Sequence, residues 1–426
     1  MRAELKIQFK RTDRKRKMLN EILHTPCAQV VLPSLVALAT VNWIYFRILR
    51  IAKEKDLVDN PDARKLQNEP VPVMGGVAVF FGIVSGILVG CILTDCMPLL
   101  PVLLAMVVLL YMGAMDDLTG LSQLGRVLVE VVVLLEMIFA AGKCVDSLHG
   151  LWGIEAFSWW IAVPLTVFAG VGIINAINMI DGVNGLSSGL CMTCAGLFGG
   201  VFFARGDVPN AMLAFAMCAG LVPFFLHNVF GKRSRMFIGD AGTMMMGALM
   251  SWCIMCLLTS GSGSSDGKLC LVALALAILS VPVFDTLRVM TLRMVHGISP
   301  FKADKTHLHH AFIAVGISHS ITALSEVLID IVIVLVWLIT YRLGASQETQ
   351  LYVVIAASAL LVWGTYALLR QGEKDNAIGR ALGKLAPKTH LGHTKAWLRL
   401  QEKLDAPEER MVRTSQKQKF VNDKRK

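Results

Sequence analysis

The chain has 426 residues, of which 55% are hydrophobic, and a mean hydropathy of +0.60. That is more apolar surface than an ordinary soluble core can bury, so a purely soluble enzyme is excluded and lipid must serve as part of the solvent. The formal net charge is +10, but no interleaved aromatic platform accompanies the basic residues, so no nucleic-acid partner is expected.

About eleven apolar runs are long enough to cross a hydrocarbon core of about 30 Å. They centre near Val36, Phe81, Val107, Val131, Leu165, Ala195, Met217, Leu249, Ala277, Ile331 and Ser358. The runs are continuous rather than alternating, which selects helices over a barrel. The expected fold is all-α, a polytopic integral membrane protein with about eleven transmembrane helices. Lys143, Arg205, Lys268 and Arg342 are nearly alone in the even-numbered connections, whereas Arg47, Arg50, Lys53, Lys55, Arg64, Lys65, Lys232, Arg233, Arg235, Lys302 and Lys305 crowd the odd-numbered ones. The positive-inside rule makes the odd connections cytoplasmic.

Three regions follow. Residues 1–26 are a basic N-terminal extension in which residues 2–17 violate the charge rule: either the first run does not simply cross, or the tail is translocated despite its charge, or Met18 is the true start; no signal peptide is recognisable there. Residues 27–370 are the membrane domain. Residues 371–426 form a basic cytoplasmic extension, readable either as helices lying on the anionic leaflet or as a disordered tail. Among ten cysteines, Cys191/Cys194 and Cys253/Cys256 have C-x-x-C spacing. Both pairs sit inside apolar runs and read as small buried hydrophobes rather than metal or redox ligands.

The chemistry collects at the ends of runs. Arg64 and Lys65 precede the second run and are read either as topology-setting charge or as phosphate contacts. Asp116 and Asp117 close the third; adjacent helical positions point about 100° apart, so the two carboxylates are expected to divide roles. Asn175, Asn178 and Asp181 form a stripe spaced three by three at the end of the fifth, either an interhelical seam or a ligand surface. Gly182, Asn184 and Gly185 follow as a tight turn that allows backbone N–H groups close to a phosphate or nucleoside. Asp240 opens the eighth run and reads as its N-cap, or, with Arg233 and Arg235 upstream and an anion-attracting helix end, as a ligand for Mg²⁺ holding a diphosphate. His307, His309 and His310 suit contact with phosphate oxygens better than a zinc site. By topology all these clusters fall on one side, the cytoplasmic face.

In order, D-x-P-x-x-R-K followed by M-G-G, then D-D, N-x-x-N-x-x-D-G-x-N-G-L, G-D-A-G-T and H-L-H-H resemble the polyprenyl-phosphate N-acetylhexosamine-1-phosphate transferases, over about residues 56 to 315. The resemblance implies transfer of a sugar phosphate, most directly GlcNAc-1-phosphate, from a UDP-N-acetylhexosamine to undecaprenyl phosphate. UMP is released and a lipid-linked sugar diphosphate remains, the first membrane step of a surface polysaccharide. It implies Mg²⁺, with Mn²⁺ as a substitute, held by Asp240 and Asp117, and an acceptor phosphate oriented or deprotonated by Asp116 or Asp117. Nucleotide contacts would come from Asn175, Asn178, Asp181 and Asn184, with Phe237 packing on uracil and Asn228 a further match. Arg64, Lys65 and the three histidines would contact phosphates.

The implied location is a bacterial inner membrane, with membrane lipids as partners and a homodimer admitted. Three positions depart from the pattern: Gln67 where a His is frequent, Asn184 where a second Asp is frequent, and Thr243 for Ser. The phospho-MurNAc-pentapeptide transferases are the alternative within the family. A secondary transporter, motivated by Glu130, Glu136, Asp285, Arg288, Glu326 and Asp330 inside apolar runs, is the alternative outside it.

Overall fold

The computed structural model describes residues 21–59, 69–261, 268–299 and 305–423. The expectations placed on residues 1–17, Met18, Arg64 and Lys65 lie outside these. Each of the eleven apolar runs is helical: α1 (Pro26–Glu54), α2 (Gly75–Gly90), α3 (Leu100–Thr119), α4 (Gln123–Ala141), α5 (Trp159–Met179), α6 (Leu186–Ala204), α7 (Val208–Phe230), α8 (Gly239–Leu258), the pair α9 (Leu271–Ile278) and α10 (Ser280–Val295), then, beyond the short α11 (Leu308–Ala314), α12 (His319–Arg342) and the run α13 (Gln347–Ser358) with α14 (Gly364–Gly372). Two further helices follow, α15 (Ala377–Thr389) and α16 (Lys395–Asp423). The protein is a multi-pass, mainly helical membrane protein.

Eight spans among the described residues are long and apolar enough to cross a membrane. The other three runs fall short for separate reasons. The α2 helix has only 16 residues. Arg126, Glu130 and Glu136 interrupt the apolarity of α4. The Ala277 run is bent by 79° between α9 and α10. At that break Asp330 of α12 accepts hydrogen bonds from Ser280 Oγ (2.7 Å) and Val281 N (3.3 Å), satisfying the exposed start of α10. Asp285 pairs with Arg288 at 2.6 Å, and the Arg288 guanidinium lies 3.6 Å from the centroid of the Tyr366 ring. The buried Asp285 carboxylate thus has its counter-ion one helical turn away, as burial of charge in low dielectric requires.

Helix ends follow their sequence signals. Thr25, Ser122 and Asp207 cap α1, α4 and α7 through their side chains, and Gly120 ends α3 in the left-handed region. An all-α expectation misses one small element: β1 (Val58–Asp59) pairs antiparallel with β2 (Val71–Pro72), and Val73 bridges in parallel to Phe237.

The centre of the bundle is α8, enclosed along its whole length. It packs on α3, α5 and α2, and the approaches are backbone to backbone. A Cβ on Gly76 would sit 2.4 Å from Gly242 Cα, and one on Gly113 would sit 2.4 Å from Ala241 Cα. Small residues are what let membrane helices reach such distances, where dispersion replaces the hydrophobic effect as the cohesive force. The substitution Gly76→Ala should therefore destabilise the bundle by about 1–3 kcal/mol, as overpacking does. Gly172→Ala, with nothing within 4 Å of the new methyl, should be neutral or slightly stabilising through helix propensity. Thermal unfolding in detergent reads both; equal midpoints would contradict the close-packing account.

Candidate functional site

One end of the bundle holds a cavity of about 480 Å³, lined by Asp59, Asp116, Asp117, Asp181 and Asp240 together with Asn184, Asn228, Phe237 and His310. Its geometry begins at the start of α8. Asp240 lies in the first turn of α8, but the residue preceding the helix is Ile238, and no side chain of α8 caps it. The cap arrives from another helix. Asp117 Oδ1 accepts Asp240 N at 3.1 Å and Asp117 Oδ2 accepts Ala241 N at 3.4 Å. A carboxylate at a helix N-terminus meets both orphan N–H groups and the positive end of the macrodipole. The expected N-cap role of Asp240 is thus corrected: α3 supplies the cap, and Asp240 is free to turn its carboxylate elsewhere. Gly239, with φ +73°, makes this possible, because a Cβ there would lie 2.5 Å from Asp117 Oδ2.

Asp116 takes a different partner, so the adjacent carboxylates do diverge. Its Oδ2 accepts Arg126 Nη1 at 2.8 Å, and Oδ1 accepts Leu121 N. The same Arg126 nitrogen lies 3.5 Å from Asp240 Oδ2. Arg126 is therefore a cation shared by two carboxylates of the cavity, and sequence reasoning did not single it out. The available signal was a lone Arg in the first turn of the fourth apolar run, ten residues beyond Asp116.

The Asn-Asn-Asp stripe splits three ways along α5. Asn175 Nδ2 donates to Glu130 Oε2 (2.6 Å), an interhelical seam away from the cavity. Asn178 Nδ2 donates to Asp240 Oδ1 (2.9 Å) and Thr243 Oγ1 (2.8 Å), holding the Asp240 carboxylate from the side opposite Arg126. Asp181 lies in the turn beyond α5, opens on the cavity and accepts from Ser187 Oγ. Desolvation within the cavity raises its carboxyl to about 6; the Ser187 hydrogen bond opposes this and the charge of Asp59 adds to it.

Asn228 is structural as well as cavity-lining. Its Oδ1 accepts Gly185 N (2.7 Å) and its Nδ2 donates to Met236 O (2.8 Å), tying the 182–185 turn to the segment before α8. Phe237 is fixed through its backbone, with N donating to Pro72 O (2.8 Å) and O accepting Gly75 N (2.9 Å).

The three histidines do not act alike. His310 lines the cavity. His307 is buried against Asp285, with Nδ1 2.8 Å from Oδ2. His309 is buried with neither ring nitrogen partnered and lies against Gly182, where a Cβ would come within 2.5 Å of Nε2. Burial, then the charges of His310 and His307, push its imidazole well below the ordinary value, so it stays neutral.

A hard dication is compatible with this donor set. Every titratable side chain lining the cavity besides His310 is a carboxyl group. The described residues contain no preassembled group of three or more ligating side chains. That combination suits Mg²⁺, which takes one or two carboxylates and completes its shell with substrate phosphates and water.

A sequence model of glycosyl transferase family 4 matches residues 99–258. The chain is 32% identical over 276 residues to the undecaprenyl-phosphate alpha-N-acetylglucosaminyl 1-phosphate transferase of Yersinia pestis, covering 63% of this chain and 72% of that protein. It is 32% identical over 295 residues to the protein of the same name from Salmonella typhi, covering 67% and 77%. With that of Escherichia coli (strain K12) it shares 30% identity over 291 residues, covering 66% and 75%. Relatives that similar over more than two thirds of their length, with a family model matched from α3 through α8, place this chain in glycosyl transferase family 4.

Proposed function

We propose that the protein transfers GlcNAc-1-phosphate from UDP-GlcNAc to undecaprenyl phosphate, releasing UMP, at the cytoplasmic face of a bacterial inner membrane, through eleven crossings. The observation that carries this reading is the convergence of Asp116, Asp117, Asp181 and Asp240 with Phe237 on one cavity at one end of the bundle. Both substrates bring phosphate, and one is a lipid. The reaction therefore needs a charged pocket at the membrane boundary, with an apolar path alongside.

Asp240 and Asp117 are the residues that would hold Mg²⁺. When bound, the ion supplies charge neutralisation across the diphosphate and its leaving group. The protein's own groups do the rest. Arg126 and Asn178 fix Asp240 from two sides, so its carboxylate is preorganised before substrate arrives. Asp116 remains at the cavity edge beside Arg126, suited to orienting the acceptor phosphate and taking a proton from it. An oxygen of that phosphate attacks the β-phosphorus in line, the bond from the β-phosphorus to the bridging oxygen breaks, and UMP departs. Phe237 presents a ring to uracil, and Asp181 and Asn184 present polar groups to the nucleoside.

The purified protein with Mg²⁺, undecaprenyl phosphate and a panel of UDP-sugars is expected to release UMP with UDP-GlcNAc; absence of UMP with every UDP-N-acetylhexosamine would overturn the reading. In Asp240→Asn, kcat should fall by about 100-fold or more, as when a preorganised charge-stabilising group is lost, with the thermal midpoint retained. Near-normal turnover would leave Asp240 only a residue of a helix start. The Asp181 carboxyl, raised to about 6, is neutral below that pH and ionised above it. Affinity for uridine, which carries no phosphate titrating in this range, should therefore change across an inflection near pH 6, read by calorimetry, that is weaker in Asp181→Asn; a profile unchanged in the variant assigns the inflection to another group.

A further inference from the structure

The C-terminal helix α16 lies beyond the residues matched to the family, yet it grips the segment that carries Phe237. Asp405, 6% exposed, points its carboxylate at three successive backbone N–H groups in the turn after α7. Oδ2 accepts Lys232 N and Arg233 N, each at 3.2 Å, and Oδ1 accepts Ser234 N at 2.9 Å and Ser234 Oγ at 2.6 Å. Such a run of N–H groups is a nest for an anion, here occupied by the protein's own carboxylate. Burial alone raises the Asp405 carboxyl, but the Ser234 hydroxyl and the three N–H groups outweigh it, leaving it below the ordinary value and ionised at neutral pH.

The grip is reinforced around this point. Tyr45 Oη of α1 donates to Ser234 O (2.8 Å), Lys53 pairs with Glu408 and donates to Arg233 O (2.8 Å), and Arg233 pairs with Glu409 (2.8 Å). The Trp397 ring meets Phe230 with centroids 4.6 Å apart. Only two residues separate Ser234 from Phe237. Residues His390, His393 and Trp397 also wall a second cavity of about 890 Å³, which shares Asn184 with the carboxylate cavity. The extension thus touches the donor end of the site in two ways and the carboxylates Asp116, Asp117 and Asp240 in none of the contacts described.

We propose that Asp405 is a positioning residue for donor binding: by locking the 231–234 turn it sets where Phe237 stands in the cavity, making the C-terminal extension part of the nucleotide site. This rests on the reading of the cavity as a UDP-sugar site. The asymmetry of the contacts dictates the signature. Full-length Asp405→Ala should weaken UMP binding and raise the KM for UDP-GlcNAc, each by about tenfold, while kcat and the KM for undecaprenyl phosphate stay within about twofold. Asp405→Asn, which keeps an acceptor oxygen without the charge, should fall between and covers the case in which the alanine variant fails to fold. Leu398→Ala, an exposed position on the same helix, serves as the unchanged control. If UMP affinity and donor KM match the parent, or if only the amount of active enzyme drops with every constant preserved, Asp405 merely braces the fold and the inference is overturned. A parent protein that turns over a donor without Asp405 dependence sinks this inference alone, whereas a parent that binds no UMP sinks the donor assignment and the inference with it.

Discussion

The contact between the Asp117 carboxylate and the first N–H groups of α8 is the one on which the site depends. The central helix starts at the wall of the carboxylate cavity, and α8 brings no side-chain cap of its own for its orphan donors. By answering them from α3, Asp117 fixes the relative height of two helices and simultaneously releases Asp240 to face Asn178 and Arg126. A helix-end requirement, general to any protein, here becomes the device that brings carboxylates from distant parts of the chain onto one small cavity despite their mutual repulsion. Arg126 offsets part of that repulsion, sitting between Asp116 and Asp240 rather than pairing with one.

How far this was legible in the sequence depended on the range of the interaction. Apolar runs report their own helicity, and helices form at all eleven centres. Caps such as Thr25 and Ser122 were equally local. The carboxylate pair at the end of α3 and the Asp at the start of α8 were visible as chemistry because polar residues beside apolar runs are conspicuous. Their mutual geometry was not, since an Asp that opens a helix is ordinarily its cap and nothing local says that a residue 123 positions earlier has taken the task. Arg126 escaped for the opposite reason: alone, it reads as a helix-end charge.

The clusters treated as units behaved as individuals once packed. Spacing put Asn175, Asn178 and Asp181 on one stripe, but a stripe on α5 passes successively over α4, α8 and the cavity, so each residue meets a different environment. The histidines illustrate the same limit, because a helix start carries His309 inward and leaves His310 at the cavity. Composition left the C-terminal extension open between membrane-surface helices and disorder. The described part of it is helical and contacts the turn after α7 over separations of more than 170 residues, which no local pattern encodes.

The backbone contacts of Gly76 with Gly242 and Gly113 with Ala241 bear on how such an enzyme can change. Where helices meet without side chains between them, no neighbouring rotamer can be exchanged to nudge the carboxylates by fractions of an ångström. The charge-handling half of the cavity is therefore a rigid inheritance, tolerant of almost no drift at its seams. On the proposed reading of the cavity, diversification toward new donors would fall to the parts around it: the turn bearing Asn184, the strand pair that ends beside Phe237, and the helical extension that holds the turn after α7. On that reading, the architecture would separate what reacts from what is chosen and let the second evolve without disturbing the first.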